Sequence, residues 1–183
     1  MTNAQQVSPQ QTGLLYGAVA GVLLIIFSIV LYLVSTESIL SFWFYLGFVI
    51  IIANMIIGAA HVRRAQGGWI SFFDAFKTTF IVTAISLIIW TVFNYLLFMY
   101  IDPSLISLSK EVAVENTIKW MEKFNAPEDE IEKALERLEN ETFEPTIGRT
   151  LINYAFSVVA GTFWALIISG FLYLISKNNK PEE

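Results

Sequence analysis

The chain of 183 residues has room for one domain with a small appendage. Its 55% hydrophobic content and mean hydropathy of +0.60 exceed the roughly 45–50% apolar share of soluble domains, and the excess lies in uncharged blocks, which points to a membrane protein. The absence of cysteine excludes disulfides, thiolate metal sites and a cysteine nucleophile; a single histidine, His61, argues against a histidine metal centre, and a net charge of −5 argues against nucleic acid.

Residues 1–12 are polar, without charged side chains, and read as a disordered tail. Leu14 to Val34 is uncharged and long enough to cross about 30 Å of hydrocarbon, the first span. It lacks the basic start and small-residue cleavage site of a signal peptide, so a retained helix is expected. Glu37 and Ser38 mark a tight turn, and Ile39 to Ala60 forms the second span, with Phe42, Trp43, Phe44 and Tyr45 at its outer boundary. It stops at His61-Val62-Arg63-Arg64, before the flexible Gln66-Gly67-Gly68.

Ser71-Phe72-Phe73-Asp74 fits a capping box at a helix start. Helical patterning from there to Ile101 exceeds the membrane thickness, so residues 69–77 are expected at the headgroups, with Trp69, Phe72, Phe73 and Phe76 dipping inward and Lys77 snorkelling. The third span is then 78–101, ended by Asp102-Pro103 because proline disfavours helix in the residue before it. Residues 102–147 change character: from Asp102 to Arg149 there are twelve acids and six bases. Val114, Ile118 and Met121 share one helical stripe, and Ile131, Leu135 and Leu138 another. Asn125-Ala126-Pro127-Glu128 separates them, which predicts an acidic helical hairpin. Residues 148–176 form the fourth span and 177–183 a polar tail. The fold class is therefore all-α, a polytopic membrane protein of four spans with an extracytoplasmic helical hairpin between the third and fourth.

Arg63, Arg64, Lys77, Lys177 and Lys180 flank the spans on one side, which the positive-inside rule places in the cytoplasm together with both termini. Gly13, Gly17 and Gly21 form two GxxxG spacings, which serve either a homodimer seam or, more commonly, packing within the chain. Asn54, Asn94 and Asn153 lie inside spans, where an amide either lines a solute path or makes an interhelical hydrogen bond. No acidic or basic residue lies in the core of any span, which weighs against an ion-coupled carrier. His61, Arg63, Arg64, Asp74 and Lys77 gather at the cytoplasmic boundary, as an anionic-lipid or phosphate site or as topological anchors. No catalytic, cofactor or metal motif is visible, and Asn140-Glu141-Thr142 is a weak glycosylation pattern.

The run Gly68-Trp69-Ile70-Ser71-Phe72-Phe73-Asp74-Ala75-Phe76-Lys77, followed by a span ending Ile101-Asp102-Pro103, resembles the bacterial family known as domain of unknown function 4199. The resemblance implies a bacterial inner membrane and the motif positions Gly68, Ser71, Phe72, Ala75, Phe76, Lys77, Asp102 and Pro103; it brings no activity. The expected role is a non-enzymatic scaffold or accessory subunit, without cofactor, embedded in the lipid bilayer and meeting a membrane or periplasmic partner through the hairpin. The alternative is a small oligomeric transporter or channel, a homo-oligomer through the glycine face.

Overall fold

The computed structural model describes residues 7–35 and 46–177. Among these the chain is helical throughout: α1 (Pro9–Val34), α2 (Gly47–Ala65), α3 (Phe72–Leu96) closing in a π-helical turn (Leu97–Ile101), α4 (Ser104–Lys123), α5 (Glu128–Asn140) and α6 (Ile147–Ser176). Helices α1, α2, α3 with its π turn, and α6 are long and apolar enough to cross a membrane. Large apolar side chains cover their outer faces, with Phe156 and Val159 of α6 about 70% exposed, a surface suited to lipid and not to water.

Local chemistry sets the boundaries. Pro9 sits at the start of α1, where a missing N–H costs nothing. Residues 9–12 are thus helical, not the disordered tail expected, because Thr12 and Gly13 are buried and the Thr78 hydroxyl donates to the Pro9 carbonyl at 3.3 Å. Helix α2 runs past Ala60 to Ala65, its Arg63 and Arg64 complementing the helix dipole. It stops in a Schellman arrangement: Gly68 N–H donates to the Arg63 carbonyl, Gly67 N–H to that of Arg64, and both glycines take positive φ (97° and 78°). The expected outer turn at Glu37 and Ser38 and the aromatic boundary at Phe42–Tyr45 lie outside the described residues, as does Lys180.

At the start of α3 the capping box is half made. Asp74 N–H donates to Ser71 Oγ at 3.1 Å, but the Asp74 carboxylate accepts from Gln66 Nε2 instead of returning to the Ser71 backbone. Helix therefore begins at Phe72, and Trp69 and Ile70 belong to the connection. Ile70 is fully buried, and its backbone is held by the Ser176 hydroxyl near the end of α6.

The registers of side-chain contact give the topology. A Cβ built on Gly13, Gly17 or Gly21 would stand 2.8 Å from the Cβ of Ile81, Ile85 or Ile89, a constant offset of 68 residues, so α1 and α3 run parallel in near backbone contact. Tyr16 meets Gly58 and His61, whereas Leu24 and Phe27 meet Gly47; α2 is antiparallel to α1. Ser176 meets Ile70 and Ser169 meets Thr79, so α6 is antiparallel to α3. Pro9, Ala65, Phe72 and Ser176 consequently share one end of the bundle, the basic end. The glycine stripe is thus filled by α3 of the same chain.

Between these helices lie Met55, Val82, Leu87, Ala165, Ile168 and Leu172, together with the buried hydroxyls of Thr79, Thr83, Ser86 and Ser169. Thr79, Thr83 and Ser86 bond back to carbonyls three or four residues earlier, which satisfies them within α3. Thr79 and Ser169 also bond each other at 3.0 Å, a hydroxyl bridge between α3 and α6.

At the opposite end a second apolar cluster forms around Leu97 and fully buried Leu105, with Leu31, Tyr32, Phe93, Phe98 and Leu108. It seats the base of α4. Beyond that base, α4 and α5 pack on each other and on no bundle helix among the described residues. Lys110 Nζ donates to the Glu139 carbonyl, closing the pair at its foot, and Asn125 with φ of 52° makes the reversal. The apolar stripes of the pair, from Val114 to Met121 and from Ile131 to Leu138, are half-buried.

Gly17→Ala is expected to destabilise the bundle by about 1–3 kcal/mol in spite of alanine's better helix propensity, because its Cβ must displace Ile85. Adding Ile85→Ala should not restore the loss, because alanine keeps the Cβ that stands at the contact. Gly170→Ala, whose Cβ meets nothing within 4 Å, should leave the unfolding transition in detergent unchanged or raised.

Candidate functional site

Two helical stripes of the same spacing face each other in the half of the bundle remote from the basic end. On α3 they are Trp90, Thr91, Asn94, Tyr95 and Phe98; on α6 they are Arg149, Thr150, Asn153, Tyr154 and Ser157. Each is an i, i+1, i+4, i+5, i+8 set, the strip that a helix presents to one neighbour. The helices do not close over them. At Gly161 a Cβ would overlap the Thr83 methyl, so the backbones nearly touch; Tyr154, two turns further along, still reaches only Ala84, donating to its carbonyl at 3.2 Å. Between that point and the end of the bundle α6 diverges from α3 and leaves a crevice of about 340 Å³, capped by Phe143 and Pro145. Trp90 lies eleven residues from Ile101, so the crevice reaches about 16 Å into the bundle at 1.5 Å per residue.

Asn94 and Asn153 therefore share one site, while Asn54 does not belong to it. Asn54 is buried in α2 and donates to the Ile50 carbonyl at 2.9 Å. Asn94 likewise donates to the Trp90 carbonyl at 2.9 Å, which leaves its carbonyl oxygen to the crevice. The side chains of Asn153, Thr91, Tyr95 and Thr150 make no hydrogen bond to any described residue. Arg149 stands at the mouth, donating to the Thr142 carbonyl and pairing with Glu141 at 3.2 Å. The sequence alone singled out only the two asparagines. The aromatic and hydroxyl members could have been found from the matching spacing of the stripes, though not their separation.

The boundary residues have separate local partners, although His61 and Arg64 line one pocket beside Tyr16. His61 Nδ1 is 3.2 Å from the Tyr16 hydroxyl, Arg63 Nε donates to the Gly68 carbonyl, Asp74 bonds Gln66, and Lys77 is exposed on α3. Gly68, Ser71 and Ala75 have architectural duties: a positive-φ turn, a helix cap and a fully buried helix contact. Phe72 and Phe76 stack at 6.2 Å on the flank of α3. Among the described residues no group of three His, Asp or Glu side chains converges as a metal site would require.

Asp102 and Pro103 join α3 to α4. Asp102 Oδ1 accepts from the backbone and hydroxyl of Ser104, and Oδ2 accepts from the Tyr32 hydroxyl of α1 at 2.9 Å. The carboxylate thus ends one helix, starts the next and ties both to α1. The Ser104 hydroxyl first, and then that of Tyr32, hold its pKa below the ordinary carboxylate value.

Over the described residues, four helices long and apolar enough to cross a membrane, a polar crevice between two of them and an acidic helical pair make an all-α chain with the character of a membrane protein. The family described as "Protein of unknown function (DUF4199)" matches residues 15–173, and the chain belongs to that family. No curated protein and no solved structure matches the chain.

Because the Asp102 pKa is depressed, the stabilisation it gives is complete above the ordinary carboxylate range and is lost as pH falls through the lowered value. Hydrogen exchange at Ile106–Ser109, corrected for intrinsic rates, should accelerate in that acid window. Asp102→Asn should show faster exchange already at neutral pH. Ser169→Ala should cost about 0.6 kcal/mol, typical of an interhelical hydrogen bond in a membrane protein. Asn153→Leu, which removes an amide without a partner among the described residues, should leave the unfolding midpoint unchanged or raise it.

Proposed function

We propose that this protein is a non-enzymatic scaffold or accessory subunit of a bacterial inner membrane, with the basic end in the cytoplasm and the α4–α5 pair outside. The positive-inside distribution of Arg63, Arg64, Lys77 and Lys177 supports that orientation. One observation carries the role. The helical pair is seated on the bundle only at its base, and its turn presents Trp120 and Phe124, 58% and 71% exposed and stacked at 5.8 Å, with Lys123 Nζ 5.3 Å from the Trp120 ring. Exposed aromatic pairs at the tip of a projecting element suit a protein partner, because aromatic anchors dominate interface energetics.

A photo-crosslinking residue at Trp120 or Phe124 should capture a discrete partner in native membranes, whereas one at lipid-facing Val159 should not. Equal capture from both positions, or none from the tip, would remove the scaffold reading. Reporter fusions at Asn125 and after Glu183 should report opposite sides of the membrane; the same side for both would overturn the orientation.

The crevice favours a second reading, a small transporter, since Asn94 and Asn153 line one space in the half of the bundle remote from the basic side. Its oligomer would need a face other than Gly13–Gly21, which α3 covers. Solute flux in reconstituted vesicles, abolished by Asn94→Leu, would establish it in place of the scaffold role.

A further inference from the structure

We propose that the α3–α6 crevice binds the headgroup of an uncharged, hydroxyl-bearing lipid taken from the leaflet opposite the basic end. The inference rests on the membrane-spanning reading and on nothing assumed about the helical pair. Its first support is unspent hydrogen-bonding capacity. Asn153 contributes a whole carboxamide, Asn94 a carbonyl oxygen, and Thr91, Tyr95 and Thr150 their hydroxyls, none bonded to a described residue. Thr91, Asn94, Tyr95 and Thr150 are half-buried and Asn153 is exposed to the crevice, so a polar headgroup placed there would meet groups that no described residue occupies. Interhelical packing could have satisfied them, as it does for Thr79 and Ser169, but here the helices have parted.

Charge narrows the class. Arg149 is the charged side chain of the lining, and its guanidinium is committed to Glu141 and the Thr142 carbonyl. Inside the mouth the lining carries no charged side chain for a phosphate or carboxylate, whereas amide and hydroxyl groups between aromatic rings suit hydroxyl and ester oxygens. Size sets a limit as well. A volume of about 340 Å³ lies at the small end of small-molecule sites, enough for a glycerol-sized headgroup and not for a whole lipid. The hydrocarbon tails would lie outside, against the exposed apolar flank of α6 at Ile152 and Phe156. A soluble polyol shares the headgroup chemistry but gains nothing from that flank.

The test uses the full chain in phosphatidylcholine nanodiscs doped with either diacylglycerol or phosphatidylglycerol, or supplied with free glycerol, and read by native mass spectrometry. One diacylglycerol should be retained per chain, in preference to phosphatidylglycerol, with no glycerol adduct. Asn94→Leu and Asn153→Leu should each lower retention about tenfold, as expected for a lost hydrogen bond in a low-dielectric site. Gly170→Ala, on α6 outside the crevice, should leave retention unchanged. Thr150→Val serves as a further lining variant, and all are compared only where the unfolding midpoint matches that of the unmodified chain. Preferential retention of phosphatidylglycerol that is lost in Arg149→Gln would overturn the proposal in favour of an anionic site. Retention unaffected by any lining variant, or a glycerol adduct as persistent as the lipid, would also overturn it. Release of the chain from membranes by alkaline carbonate would instead remove the membrane reading itself, a separate failure.

Discussion

The close approach of α1 to α3 is the contact on which the other placements depend. Lipid tails are as apolar as leucine, so spans gain little by hiding hydrocarbon from each other and must gain from contact density instead. Three glycines at four-residue spacing provide it, letting the β-branched side chains of Ile81, Ile85 and Ile89 lie directly on the backbone of α1. With that pair locked in parallel, α2 can only return along α1, and α6 can only run back along α3. The short Gly67–Ser71 connection is then forced to cross the end of the bundle. Ile70 plugs that end, and Ser176 holds it there.

Hydropathy and punctuation made the four long apolar helices legible, because each depends on a local property: a long uncharged block bounded by charge, glycine or proline. The break at Asn125–Glu128 and the two stripes of the acidic segment were legible for the same reason. The limits of the first span were not, since helix at Pro9–Thr12 is stabilised by burial against Thr78, a contact 69 residues away. The incomplete capping box was invisible likewise; Asp74 has the right spacing, but Gln66 competes for its carboxylate. Asn94 and Asn153 could each be recognised as unusual. That they share a crevice follows from how far α6 diverges beyond Gly161, which no periodicity encodes.

The two halves of the α3–α6 interface show what membrane helices do with polar side chains. Toward the basic end, Thr79 and Ser169 are small, their helices touch, and each hydroxyl has a partner. Toward the other end, tryptophan, asparagine, tyrosine, phenylalanine and arginine join Thr91, Thr150 and Ser157 on the facing stripes. Bulkier side chains thus accompany the change from a closed seam to an open one along a single pair of helices. The polar groups that remain there are not remnants of poor packing, because Tyr154 spans the gap and fixes its depth through the Ala84 carbonyl.

The π turn at Leu97–Ile101 amounts to one surplus residue in an otherwise α-helical count, closed by the Asp102 N–H on the Leu97 carbonyl at 2.8 Å. Each residue of an α-helix advances its direction by about 100°. Without the surplus, Asp102 would face away from Tyr32, and α4 would leave the bundle over a different neighbour. The heading of the whole acidic arm is thus an arithmetic property of the third helix. A single-residue deletion there would re-aim some 40 residues of the chain while leaving every one of their internal contacts intact.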